Sequence, residues 1–260
     1  MYRKKTGLLI LAILMMASVT ATLHAATDKT PDAETILEKY IEVIGGRDAL
    51  KKINTKVTEV AMVQTGKSNE IKTTTYMVRP DKVYSISEFK ALGMNVKSES
   101  GTNGKVVWEM IPMKKRVLSG LEKERRLMDY AFDGAIVDWK KYYKKMTLIG
   151  EETVNGKACY KVAFTPMDQQ GDDMVYYFDK DKYLIEKVTR EVIVSGDTKK
   201  VELFFSDYTK ADNLLIPYTV KRVGEDGKEF VITIKSLKTN VDIPPSKFEL
   251  PEKIEKIAKG

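Results

Sequence analysis

The chain has 260 residues, with 44 Lys and Arg against 37 Asp and Glu and a formal net charge of +7. It holds one histidine, His24, and one cysteine, Cys159. One cysteine excludes an internal disulfide, and a fold without the N-terminal segment would have no Ser-His or Cys-His pair and no histidine ligand for zinc.

The chain opens Met1-Tyr2-Arg3-Lys4-Lys5, then runs apolar from Leu8 to Val19. A basic start, a short apolar stretch and small residues beyond it predict a secretory signal peptide. Cleavage would follow Ala21 or Ala25. The alternative is a retained membrane anchor, for which the apolar run is short. Residues 1–25 are read as the leader and 26–260 as one domain of about 235 residues (260 − 25). Arg3, Lys4 and Lys5 would leave with the leader, bringing the charge to +4 (7 − 3), and His24 would leave too. The remaining lysines alternate with Asp and Glu, which predicts a solvated surface and no nucleic-acid footprint.

Thr30-Pro31 is expected to open the first helix, with Thr30 as N-cap. Ile36, Leu37, Tyr40, Ile41 and Ile44 recur at helical spacing, and Gly45-Gly46 ends the run. A short second helix follows over 47–53. From Lys56 the period becomes two, and strands are expected over 57–64, 70–78, 83–91, 94–100 and 105–111. Residues 121–143 read as an aromatic amphipathic helix, broken at Asp133-Gly134, with Met128, Phe132, Ile136, Trp139 and Tyr143 on one stripe. Packed core is one reading of that stripe and a movable lid is the other, and the two are compatible. Strands resume over 146–151, 158–165, 174–178, 184–194, 199–208, 215–222 and 229–241. Short turns such as Asn155-Gly156 predict an antiparallel meander. The expected fold is therefore mainly β with helices (α+β). A strongly curved antiparallel half-barrel sheet of about eleven or twelve strands carries helices over its concave mouth.

Motifs with chemical meaning are sparse. Gly150 to Lys157 has the wrong spacing for a phosphate loop and reads as a hairpin. Ser87-Glu88-Phe89-Lys90 matches a Ser-x-x-Lys string but lies in a strand pattern. Asp168, Asp172, Asp173, Asp179 and Asp181 offer oxygens for calcium without the spacing of a calcium loop. Glu151 and Glu152 point to opposite faces if both lie in a strand. Cys159 reads as a buried small hydrophobe. Methionine carries more information. Met62, Met77, Met94 and Met110 fall on four early strands, where Met suits either core filling or an adaptable apolar cavity.

Several segments in order resemble one family. They are Ile36-Leu37-Glu38-Lys39-Tyr40-Ile41 with Gly45-Gly46-Arg47-Asp48-Ala49-Leu50, Asn103-Gly104-Lys105 with Trp108 and Pro112, and Phe132-Asp133-Gly134 with Asp138-Trp139. Val154-Asn155-Gly156-Lys157 with Cys159-Tyr160, Tyr176-Tyr177-Phe178-Asp179, Ile216-Pro217-Tyr218 and the tail from Pro244 to Leu250 complete the set. Together they resemble secreted bacterial proteins of the outer-membrane lipoprotein-sorting (Lol-type carrier) superfamily. The resemblance implies a half-open barrel with helices in its mouth and an apolar cavity for lipid or acyl chains.

The expected function is a periplasmic carrier of lipid or acylated lipoprotein. It would act as a monomer, without chemistry, cofactor, metal or nucleic acid. Met62, Met77, Met94, Trp108, Met110, Met128, Phe132 and Trp139 are the candidates for cavity and lid. The alternatives are an envelope sensor binding a protein partner on the same fold and a carboxylate-based enzyme.

Overall fold

A computed structural model describes residues 30–167, 173–194 and 197–259. The first helix, α1 (Ala33–Val43), is capped by Asp32, whose carboxylate accepts the Thr35 N–H at 2.7 Å. The expected cap was Thr30. Asp32 takes the role because it stands three residues before a free first-turn N–H, and its negative charge suits a helix N-terminus. α2 (Gly46–Lys51) follows at once. Gly45 joins them at φ +131°, and a Cβ there would lie 2.5 Å from the Asn213 carbonyl, so only glycine fits.

The strands are β1 (Thr55–Gln64), β2 (Glu70–Val78), β3 (Lys82–Ala91), β4 (Met94–Asn103), β5 (Val107–Ile111) and β6 (Lys114–Val117). After the helical segment come β7 (Tyr143–Val154), β8 (Lys157–Pro166), β9 (Met174–Asp179), β10 (Ile185–Val194), β11 (Asp197–Ala211), β12 (Leu214–Gly224) and β13 (Glu229–Thr239). They form one antiparallel sheet in the order β6-β5-β4-β3-β2-β1-β13-β12-β11-β10-β9-β8-β7. The sheet is a curved half-barrel that stays open, because β6 and β7 are free edges. Strands adjacent in the sheet are consecutive in sequence except at the centre, where β1 meets β13 and joins the two halves. β6 is one strand more than the alternation predicted, since four residues are too few to show a period.

The expected helix over 121–143 is divided. α3 (Gly120–Asp129) and α4 (Trp139–Tyr142) flank an irregular segment, residues 130–138, in which Gly134 has φ +87°. The chain ends in a 3-10 turn at Pro245–Phe248 and α5 (Glu252–Lys259).

Antiparallel partners share a face, so the register sorts every side chain. One face carries Lys56 with Met77, Val83 and Thr102. This is the helix side: Met77 packs on the main buried cluster, which unites Ile36, Leu37 and Ile41 of α1 with Phe132, Ile136, Val162, Phe164, Phe178 and Val188. The opposite face carries Tyr76, Tyr84 and Trp108 in a row, with ring centroids 6.0 and 6.3 Å apart. Gly101 stands between Tyr84 and Trp108 in the register, and its missing side chain lets the two rings meet across it. Lys247 of the C-terminal 3-10 turn covers this row, 4.7 Å from the Tyr76 ring and 5.5 Å from the Tyr84 ring. The C-terminal segment thus straps the face that the other helices leave free.

Candidate functional site

The helix side of the sheet centre is apolar but sits outside the main buried cluster. Val60 and Met62 of β1 face Ile234 and Ile232 of β13, and Ile232 faces Val220 of β12. Ile71 faces Met62 from β2. All six side chains are half-buried, and among the described residues none belongs to the cluster beneath α1 and α2. They make a continuous apolar strip across the middle of the half-barrel.

At one end of this strip the segment between α3 and α4 is clamped. Arg79, at the end of β2, donates through one terminal nitrogen to both oxygens of Asp133, at 2.8 and 2.6 Å. The same side chain donates to the carbonyls of Ile53 and Leu50 at 2.6 and 2.8 Å. Lys56 donates to the Phe132 carbonyl at 2.6 Å and stands 3.5 Å from Asp133. Both cations lie over the Phe132 ring, at 4.3 and 4.2 Å. Burial pushes the Lys56 ammonium pKa down, and the neighbouring Asp133 opposes that shift. This is a fixed plug tying α2, β1 and β2 together.

α3 is held differently. It has no buried residue. Glu109, buried on β5, accepts from Arg116 at 2.7 Å and from Arg126 of α3 at 3.3 Å. Arg116 also pairs with Glu122 at 2.6 Å. At the end of the helix Asp129 pairs with Arg190 of β10 at 2.7 Å, and just past it Tyr130 donates to the Ser100 hydroxyl at 2.9 Å. The Nε of Arg190 is buried without a hydrogen-bond partner. α3 is thus tied to the sheet mainly by these polar contacts, with Met128 alone of its side chains packing on the main cluster.

The structure therefore distributes the sequence candidates. Met62 and Met77 lie on the helix side of the sheet. Met128, Phe132 and Trp139 pack on the main cluster. Met94 stands exposed at the turn between β3 and β4. Trp108 is buried on the opposite face beside Tyr84, and Met110 shares that face through its pairing with Glu99. Those two therefore stand away from the apolar strip. Alternation showed that they would share a face, but both faces of β5 are apolar and the pattern did not say which face meets the helices. Val60, Ile71, Val220, Ile232 and Ile234 were not singled out, although their alternating β-branched pattern was the available signal.

Groups with chemical potential are engaged elsewhere. Cys159 is fully buried, its Sγ donates to the Lys157 carbonyl at 3.5 Å, and burial pushes its thiol up to about 11. Glu151 pairs with Lys180, and Glu152 with Lys161 and Lys187. Asp179 caps its own turn by accepting the N–H groups of Asp181 and Lys182. Asp168 and Asp172 lie outside the described residues, as do the leader and its cleavage sites. Among the described residues no group of three potential metal ligands forms, and no helix is long and apolar enough to cross a membrane.

This half-barrel with a helical mouth is the Lol-type fold. No protein-family model and no curated sequence matches the chain. Solved structures do. A LolA superfamily protein from Nitrosomonas europaea aligns with a TM-score of 0.57 at 15% identity, covering 85% of this chain and 98% of its own. A putative outer membrane lipoprotein-sorting protein domain from Vibrio parahaemolyticus aligns at 0.55 and 16%, covering 83% and 97%. A DUF1329 family protein from Desulfovibrio piger aligns at 0.56 and 20%, covering 84% and 97%.

Proposed function

We propose that this protein is a carrier of the bacterial cell envelope that holds the acyl chains of a lipid or lipoprotein on the apolar strip, without chemistry. The half-buried strip of Val60, Met62, Ile71, Val220, Ile232 and Ile234 carries this reading. Each methylene buried there contributes about 0.8 kcal/mol, so an acyl chain leaves a membrane only for a surface of comparable apolar length. The strip runs across four strands and meets that need. α3 closes over such a ligand or releases it by exchanging its polar tethers for water. The clamped plug at Asp133 keeps the foot of the half-barrel shut meanwhile. The fold shared with a lipoprotein-sorting domain supports this reading, as do the signal-peptide pattern and the engagement of Cys159, Glu151 and Glu152 in structural roles.

The decisive experiment is mass spectrometry of lipids released from natively purified protein, paired with titration of a fluorescent fatty acid. Ile232→Arg puts a charge in the strip and is expected to weaken fatty-acid binding tenfold or more while circular dichroism stays unchanged. Absence of any co-purified lipid, together with equal affinity in the folded variant, would overturn the proposal.

A further inference from the structure

Three hairpins end at the same end of the half-barrel: β1–β2, β3–β4 and β5–β6. Two of them carry large apolar side chains into solvent. Leu92 is 97% exposed and Met94 63% at the β3–β4 turn, and Met113 is 106% exposed and Ile111 40% at the β5–β6 turn. The backbone makes this placement unusual. Leu92 has φ +51° and Met113 has φ +65°, the left-handed region that glycine or asparagine occupies at least cost. Neither side chain returns anything to the fold, since neither is covered. A strained position filled by a bulky exposed residue points to a use outside the chain.

Charge says what the use is. Over residues 64–72, 88–97 and 110–115 the hairpins hold Lys67, Lys72, Lys90, Lys97, Lys114 and Lys115 against Glu70 and Glu88, a balance of +4 (6 − 2). All six lysines are exposed, and Glu70 already faces Lys72 at 3.6 Å. Between the first two hairpins lies a hollow of about 470 Å³ lined by Lys72, Lys90 and Lys97 around Phe89 and Val96, with Glu70 and Glu88 on its walls and Lys97 also 3.0 Å from Glu99. Apolar tips within a collar of lysines match the layering of a bilayer surface, hydrocarbon beneath anionic headgroups.

The geometry points to a membrane-docking surface. Leu92, Met94, Ile111 and Met113 enter the acyl region of a bilayer, and the lysine collar engages anionic headgroups, with one phosphate seated in the hollow between the first two hairpins. This goes beyond the carrier reading, since docking needs only the tips.

The test uses the purified protein with vesicles of neutral phosphatidylcholine, alone or mixed with anionic phosphatidylglycerol. Leu92→Asn with Met113→Gly suits the left-handed backbone at both turns, so this variant should be at least as stable as the parent. Co-sedimentation should show the parent bound to anionic vesicles and released by high salt. The double variant should bind at least tenfold more weakly, and its uptake of a fluorescent fatty acid from solution should be unchanged. All variants share every other residue, so the difference reads the tips alone. Lys90→Glu with Lys114→Glu should likewise lose the preference for anionic vesicles. Equal sedimentation of parent and double variant would overturn the inference, as would indifference to anionic lipid. A parent that ignores pure lipid vesicles would also overturn it, because the tips would then serve a protein. Failure of fatty-acid uptake in both parent and variant would count against the carrier reading instead.

Discussion

Arg79 spans 54 residues of sequence to hold both carboxylate oxygens of Asp133 with a single nitrogen. That contact turns what reads in sequence as a flexible Asp-Gly break into the best-anchored point of the segment between α3 and α4.

Asp133→Asn should be strongly destabilising. The substitution leaves Arg79 and Lys56 facing a neutral amide, with the Lys56 side chain only 13% exposed. Breaking such a buried pair costs about 3 kcal/mol. Urea unfolding checks this. In the double variant with Arg79→Met the total cost should fall short of the summed single costs, because one of the two uncompensated cations is gone. Additive losses would show that the two groups are not coupled.

Glu109→Gln should free α3. Arg116 and Arg126 would lose their shared carboxylate, while the amide keeps one acceptor in place. Hydrogen exchange over Gly120–Asp129 should accelerate several-fold, and a bound fatty acid should dissociate faster. Exchange in α1 and β9 should stay slow, since the main cluster holds them. Uniform acceleration across all elements would mean that Glu109 supports the whole fold and not the lid.

Tryptophan fluorescence separates the two faces. Trp139 packs half-buried on the main cluster, and Trp108 is buried on the face strapped by the C-terminal segment. In a Trp139→Phe background the remaining Trp108 emission should not change on fatty-acid saturation. A shifted Trp108 spectrum would place the ligand on the strapped face.

Cys159 should be silent as a nucleophile and visible as an alkaline stability group. Its folded thiol is raised from 9.0 to about 11 by burial, so the folded state keeps its proton where the unfolded chain begins to lose it. The contribution is complete below about pH 9 and lost as pH rises towards about 11. Cys159→Ala should remove that part of the alkaline fall in stability and bind ligand normally, at a cost of about 1 kcal/mol at neutral pH. Thiol reagents at pH 8 should react only as fast as the protein unfolds. Rapid alkylation of the folded protein would refute the assignment.

Gly101→Ala should be costly although it adds one methyl group. The new Cβ would lie 2.3 Å from the Val83 carbonyl and 3.3 Å from the Tyr84 Cα, both backbone atoms that cannot swing away. A loss of about 2 kcal/mol or more is expected in thermal unfolding. No change would mean that β3 and β4 separate freely at this point.

The sequence by itself determined the local periods and the punctuation between them. Alternation marked twelve of the strands, helical spacing marked α1 and the region of α3 and α4, and Asn155-Gly156 marked its turn, because these signals live within a few residues of chain. The meander followed from short connections. What the sequence left open is what depends on distant partners. β6, four residues long, is too short to show a period. Alternation assigns Trp108 and Met110 to one face of β5, but only packing decides which face meets the helices, and the C-terminal strap made the opposite face apolar as well. Arg79, Lys56 and Asp133 are separated by 54 residues or more from their partners across the clamp, so their pairing exists only once the strands have closed. The apolar strip is likewise a property of β1, β2, β12 and β13 together. β1 and β13 are far apart in the chain, and the sheet centre where they meet exists only in the folded molecule.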